Sequence, residues 1–272
     1  MARLRDRWKS AAGQAERGIV LLGGEPGIGK TRLAAELAAA VHAEGAVVLA
    51  GRCDEDLAVP YQPFVEALRH YAVHAAEPRR LGRHAGELVR LVPELADLVP
   101  GLPEPLRSDP ETERYRLFEA LAAWLADLST ETPVLLVLDD LHWAAKPTIL
   151  LLRHLLRSEE AMRLLLVATY RDTETAPDDP FGDFLGDVPR FDGAECLAVT
   201  GLDAAGVADY LVALAGHDLD ANSAALAETV WRETDGNCFF VAEVLRHLAE
   251  TGALEKRDGR WSTTAAAATT PI

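Results

Sequence analysis

Eight residues near the amino end have types and spacing that suit one kind of chemistry. Gly24-Glu25-Pro26-Gly27-Ile28-Gly29-Lys30-Thr31 follows the pattern GxxxxGK[ST]. The glycines let backbone N–H groups curl around phosphate oxygens without a Cβ in the way. A helix predicted from Thr31 adds the positive potential of its N-terminus. Lys30 is placed to reach the β- and γ-phosphates of a nucleoside triphosphate. The Thr31 hydroxyl is placed to ligate Mg²⁺.

A second stretch, Pro133-Val-Leu-Leu-Val-Leu-Asp-Asp-Leu-His-Trp143, complements the first. An apolar strand ending in two aspartates puts carboxylates at the carboxyl edge of a parallel sheet, where ligands bind. Asp139 would hold Mg²⁺ through water. Asp140 would act as general base toward an attacking water. A third stretch, Leu164 to Glu174, ends its apolar run in Thr169, Tyr170 and Arg171. Arg171 is the candidate to sense the γ-phosphate, with Thr169 a lesser one.

These residues need a frame. Gly18–Leu22, Ala46–Ala50, Val134–Leu138, Leu164–Ala168 and Glu195–Val199 read as buried strands. Helix patterns cover 31–44, 61–76, 111–128 and 148–157 between them. In the helix at 111–128, Tyr115, Phe118, Leu121, Ala122 and Leu125 are spaced along one face. Continuous apolar strands alternating with helices indicate a parallel sheet covered on both faces. Residues 77–110 carry six prolines and read as short helices joined by breaks, an insertion outside the sheet. Residues 172–190 read as a polar loop with one helical turn. After Gly201 the pattern is helical only, at 204–215, 224–234 and around Val241, Val244, Leu245 and Leu248. The expected organisation is a core at 1–200, a helical lid at 201–255 and a loose tail at 256–272.

Composition narrows the function classes. Asp and Glu number 43 against 27 Lys and Arg, a net charge of −16. Such a body repels polyanions, so nucleic-acid binding through this segment is not expected. Arg79, Arg80 and Arg83 read as a solvated basic cluster. Cys53, Cys196 and Cys238 are far apart in sequence, with neither zinc-ligand spacing nor a disulfide framework. No run of about 18 apolar residues could span a membrane. The expected location is the cytoplasm.

Six segments in order, GEPGIGKTRL, PYQPFVEAL, RYRLFEAL, LDDLHWA, ATYRDTE and GNCFFVAEVLRHL, resemble the AAA-type ATPase module of STAND regulators. Within that group the match is to the large LuxR-family (MalT-like) bacterial transcriptional activators. The resemblance implies an α/β P-loop NTPase fold, five parallel strands in the order 5-1-4-3-2, followed by a small helical lid. It implies an ATP/ADP switch with Mg²⁺, slow hydrolysis and self-association on ATP binding. Nucleotide contacts fall on Gly24 to Thr31 and on Arg32. The family's lid has a Gly-x-Pro motif whose proline packs on adenine. Here it reads Gly236-Asn237-Cys238, with Cys238 in the proline's place. Ala145 stands where the family usually has an aspartate. Further family segments would lie upstream of Met1 and downstream of Ile272. Two other classes stay open on the residues alone: a P-loop phosphotransferase acting on a small molecule, and a nucleotide-holding scaffold without turnover. Phosphate release with and without acceptors distinguishes them.

Overall fold

A computed structural model describes the chain except residues 15, 57, 75–80, 82, 83, 175–178, 218–220, 258, 259 and 264–272. The arginine cluster at 79–83 therefore lies outside the described residues. The chain divides into two compact units, one of Met1–Gly23 and Thr31–Ala198, the other of Gly24–Lys30 and Val199–Ile272.

The first unit is built on five parallel strands. They are β1 (Arg17–Gly23), β2 (Val47–Arg52), β3 (Val134–Asp139), β4 (Leu164–Tyr170) and β5 (Ala194–Ala198). Their spatial order is β2-β3-β4-β1-β5, the expected order read from the other edge. Ile19 to Leu22 and Leu164 to Ala168 are all buried, which is why both stretches read as unbroken apolar runs. In register, Leu138 pairs Ala168 and Arg52 pairs Asp139, so the ends of β2, β3 and β4 fall along one edge.

Helices cover the sheet. They are α1 (Ala2–Gln14), α2 (Lys30–Ala43), α3 (Gln62–His74), α4 (Ala85–Leu88), α5 (Leu95–Leu98), α6 (Pro110–Ser129), α7 (Lys146–Arg157) and α8 (Pro180–Asp187). Gly45 ends the turn after α2 at φ +92°, which favours glycine. The short α4 and α5 agree with the expected helices broken by proline. Leu88, Val92 and Leu95 join the same core as Trp124 and Phe64, so the segment is packed rather than appended.

Three expectations need correction. Residues 172–190 hold a two-turn helix, α8, with a 3₁₀ turn on either side. Phe181 and Phe184, three apart, are fully buried, and this apolar pair outweighs the polar composition. Tyr115 does not share the buried face of α6. It is 59% exposed and meets the His154 ring edge-on, while burial begins at Leu117. The tail is not loose throughout. Residues 254–257 and 260–263 form antiparallel strands β6 (Leu254–Arg257) and β7 (Arg260–Thr263). The Asp258-Gly259 dipeptide between them is a strong hairpin signal in sequence.

The second unit contains α9 (Ala204–Ala215), α10 (Ala221–Thr234) and α11 (Cys238–Glu250). Val207, Val230, Val241 and Leu248 form its centre, each completely buried. Asp203 caps α9 by accepting from Gly206 N–H. Among the described residues, no helix is long and apolar enough to cross a membrane.

Ala145 is the N-cap residue of α7 and makes no side-chain cap, although its backbone (φ −59°, ψ 148°) has the extended form that caps adopt. Pro147 has no N–H and Thr148 N–H already donates to Ala145 O, so Ala145→Asp should act chiefly by complementing the helix dipole. The expected gain is about 0.3–1 kcal/mol of folding stability, read by urea denaturation.

Candidate functional site

In the first unit, three residues from different elements converge on the end of β3. Thr31, in the first turn of α2, donates its hydroxyl proton to Asp139 Oδ1 at 2.9 Å. Thr169, near the end of β4 and wholly buried, donates to the same oxygen at 2.6 Å. The Thr169 oxygen also accepts the Asp140 N–H at 2.9 Å. One hydroxyl therefore ties both aspartates to the neighbouring strand.

Asp140 adopts a left-handed backbone, φ 54° and ψ 45°, ahead of a 3₁₀ turn over Leu141–Trp143. Aspartate tolerates this region better than most residues, at a cost of about 1 kcal/mol or more. The turn buries Leu141 and His142 and packs the His142 ring 4.8 Å from Trp143. Arg52, the last residue of β2, faces the Asp140 carboxylate at 3.2 Å. Its own N–H is held by Glu66 of α3 at 2.8 Å. Neither Arg52 nor Glu66 was among the candidates from sequence. An arginine at a strand end has no local signal, because its partner lies far away in the chain.

The buried Cys53 thiol lies near these carboxylates. Burial pushes its pKa up to about 12, and Asp140, Glu66 and Asp139 add to the rise. It stays a protonated thiol at neutral pH and is a poor metal ligand. The Thr31 hydroxyl and Asp139 carboxylate are hard oxygen donors of the kind Mg²⁺ takes. Among the described residues, no group of three or more His, Cys, Asp or Glu could hold a metal. A dication here would draw most of its ligands from water and a bound phosphate, as Mg²⁺ commonly does.

In the second unit, the glycine loop Gly24–Lys30 is held against α11. Asn237 is the N-cap of that helix and 5% exposed. Its Oδ1 accepts from Phe239 N–H at 3.1 Å, and its Nδ2 donates to Pro26 O at 3.0 Å. Phe239 N–H also donates to Gly27 O at 3.0 Å. Gly27 has φ +78°, and a Cβ there would come within 2.7 Å of Phe239 Cβ. The loop thus requires glycine both for its backbone and for this approach. Lys30 arches back, its ammonium donating to Gly24 O at 2.7 Å and Glu25 O at 2.8 Å. Cys238 Sγ is 3.6 Å from where a Gly29 Cβ would stand.

The residues singled out in sequence are thus distributed as follows. Gly24, Glu25, Pro26, Gly27, Ile28, Gly29 and Lys30 form the loop, with Cys238 beside it. Thr31, Asp139 and Asp140 meet around Thr169. Arg171 directly follows β4 and is half-buried. Arg32 is exposed and pairs with Glu36 one turn along α2. Asn237 is the contact that sequence reading passed over. Its signal was its type, since asparagine directly before a helical run is a favoured cap.

A family model described as the AAA ATPase domain matches residues 1–167. No curated protein matches the sequence. Among solved structures, a DNA replication initiation factor is 13% identical, covering 92% of this chain and 60% of its own, with a TM-score of 0.48. The Drosophila ORC bound to DNA is 14% identical over 78% of this chain and 45% of its own, with a TM-score of 0.42. PCH-2 of C. elegans is 15% identical over 78% and 45%, with a TM-score of 0.38. The chain spans at most 60% of these structures' lengths.

Cys238 is the first helical residue of α11, and Asn237 before it is extended (φ −63°, ψ 116°). Proline suits that first position, and the extended residue before it is compatible. Cys238→Pro should stabilise the protein by about 0.4–1 kcal/mol through the unfolded chain. Thermal melting of the two proteins checks this, and a lowered Tm would contradict the assigned geometry.

Proposed function

Because the chain belongs to the AAA ATPase domain family, a nucleotide-binding group, we propose that it is the ATP-binding, slowly hydrolysing switch module of a STAND-type regulator. The large LuxR-family activators are the setting its motifs fit best. The observation that carries this reading is the pair of hydrogen bonds from Asn237 and Phe239 to the carbonyls of Pro26 and Gly27. A loop bonded to a helical segment can pass its phosphate state to that segment, which a switch needs.

In this reading residues 1–200 are the ATPase core and 201–255 the lid. The N–H groups of Gly24 to Lys30 surround the phosphates, and Lys30 turns from its two carbonyls to the β- and γ-phosphates. Arg32 lies next to this contact set. Thr31 and Asp139 would hold Mg²⁺, which when bound neutralises phosphate charge. Asp140 accepts the proton of the attacking water, and Thr169 fixes the backbone from which it acts. Arg171 reads the γ-phosphate. Cys238 lies toward the adenine side in place of the family's proline. ADP holds the closed state and ATP permits self-association. The acidic surface argues against nucleic-acid contact, and the reading places the module in the cytoplasm.

Lys30→Ala should abolish ATP and ADP binding in calorimetry while leaving circular dichroism unchanged. Unaltered affinity would remove the loop from the site. Asp140→Asn should keep nucleotide bound and slow phosphate release by about 100-fold or more. Asp139→Asn should instead weaken the Mg²⁺ dependence of binding. Equal loss of binding in both aspartate variants would show that their roles are not divided in this way. Turnover that rises only with a small-molecule acceptor would identify a phosphotransferase.

A further inference from the structure

We propose that the three-helix segment α9–α11 carries a binding site for a small, uncharged, largely apolar molecule. The helices enclose a half-open cavity of about 360 Å³. Ligand pockets run from about 300 to 1,000 Å³, and an apolar cavity of about 150 Å³ already holds benzene. None of the residues lining it belongs to the loop Gly24–Lys30, so it is separate from the phosphate-binding loop.

The floor is apolar. Leu211, Leu226 and Leu245 reach it from the three helices, and each is buried. The space arises because small residues stand where larger ones would close the bundle. Ala242 and Ala249 are seven positions apart, hence on one face of α11, with Leu245 between them. Wall atoms that face a gap lose dispersion contacts. At the rim Leu214 is 53% exposed, although the rest of its helix face is apolar. An apolar occupant would restore those contacts and cover that side chain.

The rim also selects by charge. Arg246 lines the cavity and pairs with Glu243 on one side and with Glu250 at 3.4 Å on the other. Its guanidinium is thus engaged by two carboxylates, so an anion buried against the apolar floor would lose its hydration with no uncommitted cation to replace it. Tyr210 and Ser223 are the other polar side chains in the wall, enough to orient a molecule without demanding a charge. Together the volume, the apolar floor and the committed guanidinium fit a neutral molecule about the size of two fused rings. A nucleotide polyanion does not fit them.

The test uses the whole 272-residue chain and two fluorescent molecules with the same fused-ring frame, 2-naphthol and 2-naphthoate. 2-Naphthol is uncharged at neutral pH. The expected result is saturable binding of 2-naphthol below about 1 mM, with 2-naphthoate weaker by about tenfold or more. Excess ADP should not displace the naphthol. Ala242→Leu and, separately, Ala249→Leu should fill the space and weaken naphthol binding by about tenfold or more, with the melting temperature unchanged or raised. If one filled variant fails to fold, the other carries the comparison. Absence of saturable binding, equal affinity for naphthoate, displacement by ADP, or wild-type binding in the folded filled variants would each overturn the proposal.

Discussion

The Thr169 hydroxyl sets the geometry at the carboxyl end of β3. It gives its proton to Asp139 and takes the N–H of Asp140, so one buried side chain on β4 positions two residues at the end of β3. A buried hydroxyl bonded in both directions is costly to disturb, since losing either partner leaves a polar group unsatisfied. The parallel sheet brings this about. Its register puts the ends of β2, β3 and β4 side by side, and Arg52, Asp139 and Thr169 follow from that.

The same edge carries backbone cost. Asp140 holds a positive φ, and the 3₁₀ turn after it buries Leu141 and His142. Left-handed aspartate persists where packing on both sides fixes it. The Arg52 contact adds direction more than stability. Its guanidinium is 68% exposed, and such pairs contribute at most about 1 kcal/mol. Its effect is to orient the Asp140 carboxylate rather than to hold the fold together.

The glycine loop depends on α11 in a different way. Asn237 satisfies the first turn of its own helix with its oxygen and the loop carbonyl of Pro26 with its nitrogen. An alanine there would take the donor from the Pro26 carbonyl and leave Phe239 N–H with Gly27 O alone, and an aspartate would lose the donor. Helix capping and loop shape are thus set by a single side chain, with Gly27 providing room for Phe239.

The sequence by itself determined the sheet, its strand order through the family's motifs, and the loop with its lysine and threonine. These follow from local signals: unbroken apolar runs, glycine spacing, and residues adjacent in the chain. It also placed α9 and the proline-broken helices of the insertion. Tertiary structure alone decided which far-apart polar groups would meet. Arg52 with Asp140, Thr169 with both aspartates and Asn237 with Pro26 are separated by between 29 and 211 positions or face one another across strands. No periodicity records such pairings. Burial of Phe181 and Phe184 turned a polar stretch into α8, and residues 254–257 and 260–263 pair as antiparallel strands that the Asp258-Gly259 dipeptide had already marked in the sequence. The burial of the two phenylalanines reflects contacts whose free energy depends on what lies opposite, which a chain read residue by residue does not contain.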